Sequence, residues 1–283
     1  MTAQTPEILQ FNGQTLDLCA EPLRCWTNLQ PPGFSFLAPD YRGARTTACH
    51  RGYVGHWRIM DGRLYLHGFE PPENDWRMRP FEEMFAGHAG RGVFAHWVEG
   101  VLRCNVGEIV DYVHHGYASQ AEGDRYLLVE RGVLRAQRDF PCSDEDELPW
   151  FWRGEEVLAA FGIATTDPRP PDDESDDLDD WEGSPLPIDK PGARVEPVTL
   201  AAAEALGHVH DPLGEVPRVP FGHLHAGWHA LLAQLRPGDE LRSVHVPIGT
   251  RIDDYLVRME PLRAIAVIRQ GQAVHHFVHA GGD

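Results

Sequence analysis

The chain predicts an α+β fold: a mainly antiparallel β N-terminal domain over residues 1–163, and a small α+β module over residues 200–283. Three observations carry this expectation. Aromatic and branched residues repeatedly flank X-Gly dipeptides in the first half, an acidic proline-studded stretch interrupts the chain at 164–199, and helical apolar spacing followed by short strands fills the remainder.

The first hairpin is read in His56-Trp57-Arg58-Ile59-Met60-Asp61-Gly62-Arg63-Leu64-Tyr65-Leu66, where Asp-Gly suits a two-residue turn with positive φ. The same logic predicts hairpins around Glu99-Gly100 and Arg131-Gly132, with Val106–Val113 as a further strand. Together they imply a hairpin meander or a partly open barrel. A turn or two of helix is expected over 79–85. A short helix is expected over 155–161, with acidic residues at its start and Gly162 as its stop. After residue 199, an alanine-rich helix over 199–206 precedes a second helix over 225–235. Its Trp228, Leu231, Leu232 and Leu235 fall at i, i+3, i+4, i+7, and Pro237-Gly238 ends it. Strands over 240–246, 262–269 and 273–278 complete the module as three strands, the last two joined at Gln270-Gly271.

Forty-three acidic against 25 basic residues give a formal charge of −18, and Lys190 is the single lysine. That charge opposes non-specific binding to nucleic acid or an anionic membrane and attracts a basic protein. Residues 164–199 carry eleven acidic and three basic residues and read as a linker, because so polar a segment buries too little to offset its ordering entropy. The longest apolar runs fall far short of the roughly 20 residues of a bilayer span. The first ten residues lack a basic region followed by an apolar core, so a cytoplasmic protein is expected. Five cysteines without a CxxC pair, all before residue 143, suggest buried reduced thiols.

No phosphate loop, GxGxxG, HExxH, GxSxG or calcium-loop pattern occurs. Two constellations leave an enzymatic alternative, a hydrolase, open. His208, His210, His223, His225 and His229 fall within 22 residues with Asp211 among them, a set able to ligate a metal. Solvated histidines at a loop-to-helix entry are the plainer account. His114 or His115 beside Ser119 offers a base and a nucleophile, against the plainer picture of a strand running into a glycine turn. Cys49 and Cys104, near His50 and His96, fall in strands where a free cysteine is ordinarily core.

Two features point instead to protein binding, with no cofactor. Arg51, Tyr53 and Trp57, bracketed by Gly52 and Gly55, are residue types that anchor interfaces, although Tyr and Trp on sheets are more often core. Asp172, Asp173, Glu174, Asp176, Asp177, Asp179 and Asp180, with Leu178 and Trp181 among them, can cover a basic groove while the apolar pair docks. The expectation is a non-enzymatic protein-binding protein, of the immunity or antitoxin kind against a basic toxin or an adaptor in a defence system. Its oligomeric state is left open.

The stretch from Cys49 to Leu66, then Val93-Phe94-Ala95-His96-Trp97, Gly107–Ser119 and Leu127–Val133, resembles a family of bacterial proteins with C-x-R-G-Y-x-G-x-W, F-A-x-W and Y-V-H-x-G-Y motifs in this order. It covers about half of the chain. Trp228–Gly271, with Pro237-Gly238-Asp239-Glu240-Leu241, resembles a small G-D-E-L module of proteins encoded beside competition and defence loci. The resemblances imply a bacterial origin and an accessory-gene setting, and no activity, cofactor or catalytic residue.

Overall fold

Buried and less buried residues alternate along the strands over 7–11, 14–18 and 54–60, as the hairpin pattern requires, whereas the strand over 100–111 is buried through its first half and exposed through its second. A computed structural model describes residues 2–29, 36, 46–72, 78–88, 90–142, 153–168, 187–190, 192–252 and 256–281. The strands are β1 (Glu7–Phe11), β2 (Gln14–Leu18), β3 (Val54–Met60), β4 (Arg63–Glu70), β5 (Val93–Phe94), β6 (Gly100–Asp111), β7 (Gln120–Glu130) and β8 (Val133–Pro141). They pair in the order β3-β1-β2-β6-β7-β8-β4-β5, and β3 also pairs with β4. The pairing therefore returns to its start, a barrel-like circuit of seven strands with β5 added on β4. All pairings with a recorded register are antiparallel except β1 with β3. β4 joins β8 through one residue pair, Arg63↔Val133, flanked by Leu64 N to Gly132 O and Leu134 N to Gly62 O bonds of 2.8 Å. Leu9, Leu18, Trp57, Leu64, Leu66, Leu102 and Leu127 fill the interior.

Four two-residue turns share one geometry. Asn12-Gly13, Asp61-Gly62, Arg131-Gly132 and Gln270-Gly271 have φ near +50° then between +73° and +80°, the double positive φ that matches the twist of the flanking strands. The Asp61, Arg131 and Gln270 turns are those expected. The turn expected at Glu99-Gly100 is absent: Gly100, at φ +134°, begins β6, and its missing side chain makes room for the Met259 carbonyl. Val106–Val113 is accordingly not a separate strand, because β6 runs from Gly100 to Asp111.

The second half adds α3 (Gly154–Ala160), β9 (Arg194–Val198), α4 (Leu200–Leu206), α5 (His225–Leu232), β10 (Glu240–Val246), β11 (Leu262–Arg269) and β12 (Gln272–Ala280). Earlier in the chain are α1 (Arg24–Asn28) and α2 (Phe81–Met84). The second sheet has four strands rather than three, ordered β12-β11-β10-β9. Helix α3 stops as predicted at Gly162, φ +73°, where Ile163 N bonds Leu158 O at 2.9 Å. Thr199 caps α4 by accepting from Ala202 N, and α5 is one turn shorter than its apolar spacing suggested.

The chain forms two compact units. One comprises residues 1–23, 31–95 and 101–150; the other comprises 24–30, 96–100 and 151–283. In the second, α1 is held by the Cys25 thiol, 2.6 Å from the Gly281 carbonyl, and Glu99 pairs with Arg263 at 3.0 Å. None of the five cysteines forms a disulfide; four are buried and Cys142 is half-buried. No helix among the described residues is long and apolar enough to cross a membrane.

Candidate functional site

The most concentrated polar chemistry in the first unit surrounds a residue that sequence reading passed over. Glu7, Leu9 and Phe11 occupy the buried face of β1, placing a carboxyl where the period of the strand demands an apolar side chain. Glu7 is fully buried. Arg51 Nε stands 3.2 Å from its Oε1, and the Trp57 indole N–H donates to its Oε2. Arg51 spreads its other nitrogens to the Tyr117 hydroxyl at 2.8 Å and the Thr5 carbonyl at 2.7 Å. Tyr117 in turn donates to Glu21 at 3.2 Å, and the Cys49 thiol donates to the Tyr53 carbonyl at 3.2 Å. Gly55 is required here: a Cβ would strike both the Glu7 carboxylate and the Trp57 indole. Cys49, Arg51, Tyr53, Gly55, Trp57 and Tyr117, scattered through two of the motifs quoted above, thus converge on Glu7.

Burial pushes the Glu7 carboxyl up from its ordinary 4.5 to about 7, against the pull of Arg51 and of the Trp57 and Tyr53 hydrogen bonds. Burial works against the Arg51 charge, but Glu7 and the neighbouring Tyr117, Cys49 and Tyr53 outweigh it, and the guanidinium is held more firmly charged than usual. Burial also raises Tyr53, Tyr117 and Cys49, so their protons stay on. The centre therefore gains and loses a proton around neutral pH, well above the usual carboxylate range. With Glu7 0 % exposed, that proton is closed to a substrate.

These contacts correct the picture of Arg51, Tyr53 and Trp57 as a surface for a partner. Tyr53 and Trp57 are each 1 % exposed and the Arg51 side chain 6 %, because all three are occupied in enclosing Glu7.

The hydrogen bonds of the Ser119 side chain do not run to His114 or His115. The Ser119 hydroxyl accepts from Val113 N at 3.2 Å and lies 3.4 Å from the Val113 carbonyl, whereas His114 lies 3.4 Å from the Tyr112 hydroxyl. His114 and His115 are solvent-exposed. The segment is fastened by Arg103, which donates to Asp124 at 2.8 Å, the Tyr117 carbonyl at 2.7 Å and the Ser119 carbonyl at 3.1 Å.

In the second unit the five histidines are not gathered. His223 packs on His96 and Trp97, with ring centroids 5.6 and 6.2 Å away. His225 shares an α5 face with His229, as expected, at 4.5 Å, but its Nδ1 donates to the Pro220 carbonyl at 2.8 Å. His208 and His210 are exposed and line a cleft of 370 Å³ with Glu204 and Arg218. Asp211 accepts from the backbone of Leu213, Glu215 and Val216, ordering the loop instead of reaching a metal. Among the described residues no three His, Cys, Asp or Glu side chains are placed to hold a metal ion. Cys49 and Cys104 are buried with raised thiol pKa values, the state of core cysteines.

The acidic run from Asp172 to Trp181 lies outside the described residues. The exposed feature that sequence reading missed is the far half of β6. Every residue from Gly107 to Tyr112 is solvent-exposed, including Ile109 at 43 %, Val110 at 58 % and Tyr112 at 65 %. Two successive strand residues exposed together mean that both faces of the sheet meet solvent there. No protein-family model, curated protein or solved structure matches this chain.

Proposed function

We propose that this chain is a non-enzymatic protein-binding protein whose partner is basic, of the immunity or antitoxin kind or an adaptor in a defence system. The observation that supports it is the exposed end of β6 and the residue after it: Ile109, Val110 and Tyr112 stand in solvent beside Glu108 and Asp111, on a chain of net charge −18. Neighbouring exposed apolar side chains among like charges mark an interaction surface, and the acids select a basic counterpart.

Capture from extracts of the native host tests the reading, with immobilised full-length protein beside an Ile109→Ser/Tyr112→Ser variant and a version lacking 166–182. A stoichiometric basic partner, bound at least about tenfold more weakly by the double variant and released by salt, is expected. Absence of any stoichiometric partner of the wild-type protein rejects it.

A further inference from the structure

We propose that the outer edge of β6, from Val106 to Asp111, takes its partner by strand addition, accepting an extended segment in which basic and apolar residues alternate. This rests on the protein-binding reading and specifies its mode.

The pairing of β6 carries the argument. Its neighbours are β2 and β7, but β2 is registered with it only at Leu18↔Cys104 and Asp17↔Asn105. Beyond Asn105 the two diverge. Gly107, at φ +83° with the Glu122 side chain lying over it, bends β6 just past the last pair. From Val106 to Asp111 the edge turned away from β7 has no strand partner among the described residues. An unpaired row of N–H and C=O groups is a template for another strand. Edges are commonly protected by lysine or proline; residues 106–118 contain neither.

The side chains define the occupant. Period-two alternation sets Glu108, Val110 and Tyr112 on one face and Ile109 and Asp111 on the other, so each face offers carboxylate and apolar contacts. Asp17 stands exposed at the fork where β2 departs. An added strand alternating Lys or Arg with Val, Ile or Leu answers both. A second copy of this chain does not: it would set Glu108 and Asp111 near their own equivalents, between molecules each carrying −18.

The test uses full-length protein and a fluorescent peptide of about ten residues alternating Lys and Val, enough to span the edge. Its companions are a copy N-methylated at the central residues, which blocks both peptide edges, and a copy with Glu for Lys. Strand addition predicts binding of the first, at least about tenfold weaker binding of the other two, and slowed amide exchange confined to 106–111. A Val110→Lys variant, which charges the edge, is expected to lose binding of the Lys/Val peptide by a similar factor. Equal affinity for the N-methylated copy, protection elsewhere, no binding, or a dimer that protects these amides without peptide would each overturn the proposal. Retention of the captured host partner by Val110→Lys removes the edge and leaves the protein-binding reading standing. Absence of any host partner removes that reading.

Discussion

Glu7 is the residue on which the chemistry of the first unit turns, and its consequences are measurable. Its carboxyl is raised from 4.5 to about 7, so between those values the folded chain binds a proton that the unfolded chain has released. The contribution to stability is therefore complete below pH about 4.5 and declines as pH rises through about 7, by about 3 kcal/mol in all. Glu7→Gln cannot ionise. It should match the wild type near pH 4, exceed it by up to about 3 kcal/mol near pH 8, and flatten the stability profile in denaturant titrations. Parallel profiles for the two proteins would place the titration elsewhere. Trp57→Ala, which removes the indole donor and empties a fully buried site, should lose about 3–5 kcal/mol at any pH. Residue type alone drew attention to Arg51, Tyr53 and Trp57, but not to what they enclose. Glutamate seven residues into a polar segment carries no local signal of burial; only the inward alternation with Leu9 and Phe11 hints at it, and Arg51 and Trp57, its partners, lie more than forty residues away.

Turns are the elements that sequence reads best, because their constraint is local. Positive φ at both central positions favours Asn-Gly or Asp-Gly, so Asp61-Gly62 is legible in the sequence, and Asn12-Gly13 carries the same signal. Arg131 sits at φ +48° in a site that suits asparagine, and Arg131→Asn should raise the unfolding free energy, read by denaturant titration, by about 0.5–1 kcal/mol. Gly62 and Gly132 have nearly equal φ, 73° and 77°, but different surroundings. A Cβ on Gly62 meets nothing, whereas one on Gly132 lies 2.7 Å from the Ala95 carbonyl and 2.8 Å from the Phe94 ring. Gly62→Ala should therefore cost about 1 kcal/mol and Gly132→Ala at least about 3, and equal losses would refute the role of the close approach. Gly100 explains the one misplaced hairpin. Val and Leu after a Glu-Gly pair look like a returning strand, but this glycine answers a backbone from residue 259, which no local pattern contains.

At the scale of the whole molecule, the division into two units follows no single break in the sequence. Composition and charge report where polar residues collect along the chain. They are silent on α1 and residues 96–100, short pieces whose companions lie in the last 130 residues. The second unit uses them tangibly: Cys25 at Gly281, Leu29 against Gly227, Glu99 with Arg263. A fragment of residues 151–283 lacks all three, and we expect it to show no cooperative thermal transition; a native-like transition would contradict this. The same arrangement imposes an order on biosynthesis. Residues 24–30 leave the ribosome before most of the first unit exists, yet Gly281, which anchors Cys25, is made 256 residues later. Vectorial folding can finish the first unit during translation, but the second must wait until Gly281 has been made, and until then Cys25 and Trp26 of α1 lack the contacts that bury them.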